Sequence, residues 1–167
     1  MSGDPTDSPE AGLGKTLRFM QQLWALSHAL DARSKRMQRE RGITGLQRLV
    51  VRMVGRDPGI GAGELASVLH VHPSTLTGVL ARLEERGFVE RTVDADDARR
   101  IRLGLTPRGR DIDQDHTGTV EAALRRALAR CEPEVVEATR AVLGTLIEEL
   151  ERDDRGDGLA PPKSQTQ

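Results

Sequence analysis

The 167 residues hold 25 basic and 26 acidic side chains, a formal net charge of −1, and only 2% aromatics. At this length the chain fits one domain, or one domain with long arms, and the near-neutral balance excludes a global basic field, so any nucleic-acid surface must be local. A single cysteine, Cys131, excludes an intrachain disulfide, and no apolar run approaches the roughly 18 residues of a membrane span.

Leu, Val, Ile and Ala must build the core, a composition that suits packed helices needing a partner chain to bury enough surface. Residues 1–12, rich in Ser, Pro, Gly and Asp, read as a disordered arm. The opening stretch is acidic and polar, unlike a signal peptide, so the expected location is cytoplasmic. From Leu13 the pattern turns helical. Leu13, Leu17, Met20, Trp24 and Ser27 follow one face, which Leu23, Leu26 and Leu30 widen. This helix ends in a basic run, Arg33, Lys35, Arg36, Arg39 and Arg41. The run reads either as a solvated tail favoured by the helix dipole or as a phosphate contact.

Gly42 stops that helix. Thr44 and Gln47 have capping-box spacing, and the helix they open runs to about Val54, burying Leu46, Leu49, Val50 and Met53. Arg56–Gly59 is a turn, and Ile60 is placed to add a short strand to a later hairpin. Residues Gly61–Leu69 form a short helix burying Leu65, Val68 and Leu69, and His70–Pro73 make a turn. Pro73 opens the next helix, through Arg86, which buries Leu76, either Val79 or Leu80, and Leu83. Its other face carries Ser74, Thr75, Thr77, Gly78 and Arg82. Small hydroxyl side chains let a helix sit deep in a major groove, whereas ordinary solvent faces carry Glu and Lys.

Gly87 ends this helix, and Phe88–Thr92 and Ile101–Leu105 alternate like strands, with Phe88, Ile101, Leu103 and Leu105 apolar. The loop between them holds Asp94, Asp96 and Asp97, then Arg99 and Arg100. From Arg99 to Arg110 there are five arginines and no acid. A guanidinium at a hairpin tip fits a narrow, electronegative minor groove. Helix, turn, helix and β-ribbon together make a winged helix-turn-helix, a shape that grips duplex DNA.

Thr106-Pro107 starts a helix expected to run to about Arg130, with Ile112, Val120, Leu124, Ala127 and Leu128 at helical spacing. Cys131-Glu132-Pro133 breaks it, and a last helix carries Val135, Val136, Val142, Leu143, Leu146, Ile147 and Leu150. These helices show more apolar surface than one small domain covers. With the first helix they read as an intersubunit bundle, with Leu13, Leu17, Met20, Val135, Val142, Leu146 and Leu150 as dimerisation positions. The expected organisation is thus mainly α with a small β-hairpin wing. It comprises a helical dimerisation region (13–41 and 107–152), a winged helix-turn-helix (43–106) and a disordered tail (153–167).

With these elements in order, the sequence from about Leu13 to Leu150 resembles the MarR family of bacterial transcription regulators. The carrying residues are Pro73-Ser74-Thr75-Leu76-Thr77, Leu83-Glu84-Glu85-Arg86-Gly87, Asp97-Ala98-Arg99, and Leu105-Thr106 before Gly109-Arg110. The resemblance implies a triangular homodimer on a pseudo-palindromic duplex, with Arg99 in the minor groove and Asp97 orienting its guanidinium. Pro73, Ser74, Thr75, Thr77, Gly78, Arg82 and Arg100 complete the expected DNA-contact set. It also implies a repressor released by a small, often phenolic or anionic, ligand. The family places that ligand beside the first helix, the second helix and the helix after the wing. Trp24, His28, Asp31, Met53 and His116 are the candidates there, although Trp24 and His28 also read as ordinary packed or surface residues. Two departures stand out. Gly78 occupies a position where the family often has arginine, and costs the helix about 1 kcal/mol relative to Ala. His72 stands where Asp or Ser is commoner.

No cofactor or metal is expected: His70-x-His72 alone is an incomplete site. Cys131 reads as a structural or inert thiol rather than a redox centre. The competing function is a winged-helix adaptor or antirepressor with weak DNA binding, motivated by the near-zero net charge and Gly78. An enzyme is the weakest reading, since no nucleophile–base pair or phosphate loop appears.

Overall fold

The computed structural model describes residues 14–154 apart from 95, 96 and 98. The expected arm, Leu13, residues 155–167 of the expected tail and Asp96 of the wing loop lie outside the described residues. The elements are α1 (Lys15–Arg41), α2 (Gly45–Arg56), α3 (Ala62–Val68), α4 (Pro73–Glu85), β1 (Val89–Val93), β2 (Ile101–Leu105), α5 (Pro107–Gln114), α6 (Val120–Leu128) and α7 (Pro133–Asp154). They fall into two compact units, one reaching Ala122 and one starting at Ala123.

In the first unit α2 is the centre, packed against α1, α4, α5 and β2. Gly42 closes α1 in the left-handed conformation (φ 71°). Thr44 then forms a complete capping box: its hydroxyl accepts the Gln47 N–H at 3.2 Å, and its own N–H donates to Gln47 Oε1 at 3.0 Å. Ser34 Oγ accepts the Gly45 N–H at 2.8 Å and ties the start of α2 to α1. The buried face of α2 is Val50, Val51 and Val54, while Leu46 and Met53 are half-buried and Leu49, expected inside, is exposed. With neighbours on several sides, α2 has no single inward stripe for periodicity to find.

Leu65 and Ala66 on α3 meet Leu76, Leu80 and Leu83 of α4 in one core with Ile43, Phe88, Val89, Leu103 and Leu105. Leu80, not Val79, is the fully buried member of the α4 pair. Val68, expected inside, is exposed at the last residue of α3, where the chain already turns toward His70. β1 and β2 pair antiparallel from Val89↔Leu105 to Val93↔Ile101. Ile101, expected to be apolar packing, lies at the far end of this ladder and is exposed. Ile60 pairs with β2 as anticipated, through Leu103 N–H to Ile60 O at 3.2 Å and Gly59 N–H to Leu103 O at 2.8 Å, although the sheet itself has two strands. Gly109 is obligatory, because a Cβ there would stand 1.9 Å from the Phe88 carbonyl oxygen. Thr106 beside it caps α5, accepting the Gly109 N–H at 3.1 Å and donating to Gly87 O at 2.6 Å.

The single helix expected over 107–130 is two helices. α5 ends at Gln114, and Asp115–Thr119 turn before α6. Asp115 Oδ1 accepts the Thr117 N–H at 3.0 Å, Gly118 takes φ 64°, and Thr119 Oγ1 accepts the Ala122 N–H at 3.1 Å, capping α6. Arg48 of α2 holds this break from the inside. Its guanidinium pairs with Glu121, donates to the Ile112 and Asp113 carbonyls at the end of α5, and faces His116 Nδ1 at 3.4 Å. A cation among the last carbonyls of a helix is favourably placed.

In the second unit α7 opens with Pro133 and leaves Val135, Val142, Ile147 and Leu150 exposed, with Leu146 half-buried. Cys131, in the turn before it, is exposed, so a buried, hydrophobe-like thiol is not what this position holds. No helix among the described residues is long and apolar enough to cross a membrane.

Candidate nucleic-acid interface

The interface candidate is built from α4 and the hairpin. Burying Leu76, Leu80 and Leu83 turns the opposite face of α4 outward, and Pro73, Ser74, Thr75, Thr77, Gly78 and Arg82 are all exposed. His72 supplies the N-cap: its Nδ1 accepts the Ser74 N–H at 3.3 Å and lies 2.7 Å from Ser74 Oγ. Thr77 donates its hydroxyl to Pro73 O at 2.8 Å and stays exposed, with the hydroxyl oxygen still able to accept a hydrogen bond. Nothing stands within 4 Å of a Cβ built on Gly78, so that position is open.

The hairpin stands beside this helix, joined to it by Arg91 on β1 and Glu84 on α4 at 2.5 Å. At its tip the Arg99 side chain is 97% exposed. Asp97 Oδ1 accepts the Arg99 N–H at 3.0 Å, while the ionic contact to Arg99 Nε is 3.9 Å, longer than a hydrogen bond. Arg100 Nε lies closer, 3.4 Å from Asp97 Oδ2. Asp97 therefore shapes the backbone that carries Arg99 and leaves the guanidinium projecting.

The basic run ending α1 is partly neutralised by its own neighbours. Arg36 donates to Glu40 at 2.7 Å, and that hydrogen bond holds the Glu40 carboxyl below the ordinary carboxylate range. Arg41 pairs with Asp115. Arg33, Lys35 and Arg39 have no carboxylate partner among the described residues.

The five effector candidates are not gathered into one site. Trp24 is 67% exposed on α1, and His28 and Asp31 are exposed on the same helix. Met53 lines a shallow cleft of about 360 Å³ with Arg52, Gly55, Arg56 and Asp113, and none of the other four candidates lines it. His116 faces the buried Arg48 guanidinium. The residues that sequence reasoning missed are Arg48, Arg52 and Asp113: Arg52 Nη1 bonds Asp113 Oδ1 at 2.6 Å, and Arg52 Nε reaches Glu121 at 2.9 Å. Isolated charges on a helix carry no pattern, so no signal in the chain marked them.

These elements define a winged helix-turn-helix with an open recognition helix and an arginine-tipped wing. Residues 43–101 match the model of the MarR family. The HTH-type transcriptional repressor Rv2887 of Mycobacterium tuberculosis (strain ATCC 25618 / H37Rv) is 35% identical over 89 residues, 53% of this chain and 64% of that protein. The match thus spans a little under two thirds of that relative's length. Among solved structures, the S. aureus MepR–DNA complex covers 79% of this chain and 97% of its own, with a TM-score of 0.65 and 22% identity. Streptococcus pneumoniae FabT in complex with DNA covers 82% and 98%, with a TM-score of 0.63 and 23% identity. At such identities the likeness speaks for the fold. The likeness to the MarR family lies on residues 43–101, the winged helix.

Proposed function

We propose that this protein is a homodimeric, sequence-specific DNA-binding transcription regulator. The observation that carries the reading is the exposed α4 face of hydroxyls, Gly78 and Arg82 beside a wing whose Arg99 projects into solvent. α4 would enter the major groove, with Ser74, Thr75, Thr77 and Arg82 at phosphates and base edges. Arg99 and Arg100 would meet the adjacent minor groove. The relative Rv2887 is described as a repressor, which favours repression over activation here. Two-fold pairing would place recognition helices about one DNA turn apart, on half-sites roughly 10 bp centre to centre. Release by a small phenolic or anionic ligand completes the proposal.

The test is a gel shift on the region upstream of the protein's own gene, with wild type beside Arg99→Ala, repeated with salicylate as a phenolic anion. Wild type gives a sequence-specific shift. Arg99→Ala weakens it by about 1–3 kcal/mol, and salicylate releases the DNA. Equal affinity of the two proteins removes the wing role of Arg99. A shift that salicylate leaves intact at millimolar concentration removes the phenolic-anion effector. A complex that fades uniformly on every sequence as salt rises would mark non-specific binding instead, and count for the adaptor reading.

A further inference from the structure

A series of polar contacts runs from the turn between α2 and α3 to the tip of the wing. Arg102, on β2, donates from Nη1 to the Gly59 carbonyl at 3.1 Å and pairs through Nε with Asp94 Oδ2. The Asp94 side chain is only 9% exposed, so its carboxylate is held within the hairpin rather than solvated. Asp94 Oδ1 accepts the Asp97 N–H at 3.3 Å, and Asp97 Oδ1 accepts the Arg99 N–H. Each contact shares a residue with the next, and the last residue is the arginine at the tip.

The backbone supports the same path. Gly59 and Ile60 bond to Leu103, one residue beyond Arg102. Within the tip, the Asp94 N–H meets Arg100 O at 2.9 Å and the Arg100 N–H meets Asp97 O at 2.8 Å. A two-stranded ribbon alone is marginal in water and does not set its own angle to the rest of a domain. The planar guanidinium of Arg102 joins a carboxylate of the ribbon to a carbonyl outside it, a bridge that one ammonium centre reproduces poorly.

We propose that Arg102 is a positioning residue for DNA recognition: it braces the wing against the α2–α3 turn through Asp94, and so fixes where Arg99 is delivered. The inference rests on the DNA-binding reading above. Arg102 acts through Arg99: its Nε and Nη1 are engaged by Asp94 and Gly59, which ties its guanidinium to the base of the wing.

A double-mutant cycle tests it. Affinities for one operator fragment are measured by fluorescence anisotropy for wild type, Arg99→Ala, Arg102→Met and the double variant. Methionine keeps an unbranched stem of similar reach and removes the donors. Arg102→Met alone is expected to weaken binding by about fivefold or more. In its background Arg99→Ala is expected to cost only a small fraction of what it costs in wild type, because residues acting through one another are non-additive. A purely stabilising role leaves the cost of Arg99→Ala the same in both backgrounds. That outcome, or undiminished binding by Arg102→Met, overturns the proposal. Should Arg102→Met fail to fold, Asp94→Asn carries the same cycle, since the amide oxygen still accepts the Asp97 N–H while the ion pair is gone. Failure of wild type itself to bind any promoter fragment is a separate result, which removes the DNA-binding reading and this inference with it.

Discussion

Arg48 follows Gln47 and precedes Leu49 on α2, yet its side chain is 4% exposed and Leu49 is the residue facing solvent. Burial of a guanidinium is tolerated only when its donors are satisfied, and here Glu121 and two carbonyls at the end of α5 do so. Arg48→Met keeps volume but removes the buried cation from Glu121, which retains Arg52, and leaves the Ile112 carbonyl without its side-chain donor. Removing one partner of a buried pair costs roughly 3–5 kcal/mol, and because Glu121 is 27% exposed the lower end is expected. Urea unfolding followed by circular dichroism measures it; a change below about 1 kcal/mol, the scale of exposed pairs, would mean the pair contributes as a surface contact does. Apolar periodicity scores position 48 only as polar, and what buries it is α5, 64 residues further along the chain.

Among the elements, two glycines show how backbone conformation decides the sign of one substitution. Gly78 lies inside α4 with open space around a built Cβ, so Gly78→Ala gains helix propensity and stabilises by up to about 1 kcal/mol. Gly118 sits at φ 64° between α5 and α6, where alanine is strained, so Gly118→Ala destabilises by about 1 kcal/mol. Thermal melts of the two variants should move in opposite directions, and a shift of the same sign in both would contradict the α5–α6 turn. Ile112 and Val120 stand eight residues apart, a spacing an unbroken helix also satisfies, which is why periodicity ran through the break. The Asp115-to-Thr119 stretch did carry local signals, a side-chain turn, a glycine and a hydroxyl cap, and these outweigh apolar spacing where carboxylate and hydroxyl can bond nearby N–H groups.

At the scale of the whole molecule, apolar surface is left over. α1 buries only Met37 and exposes Leu17, Met20, Trp24, Leu26 and Leu30, and α7 exposes Val135, Val142, Ile147 and Leu150. Apolar stripes of this extent on two helices are expected to be covered by a second copy of the chain. Light scattering should therefore return about twice 18.3 kDa. Leu17→Asp combined with Val142→Asp should return a single subunit with weakened DNA binding. A wild-type monomer at micromolar concentration would contradict both the dimer and the paired half-sites.

The elements with local causes were readable in the chain: the Thr44 and Thr106 caps, the Gly42 and Gly87 stops, the outward hydroxyl face of α4 and the arginines of the wing. Caps, turns and one-sided stripes depend on residues within about a turn of one another, so spacing alone exposes them. Tertiary structure alone decided that Arg48 is buried, that Leu49 is not and that Arg102 reaches the Gly59 carbonyl. Each of those outcomes rests on a partner dozens of residues away, and a guanidinium has no preferred neighbour until the fold brings a carboxylate or a free carbonyl within reach.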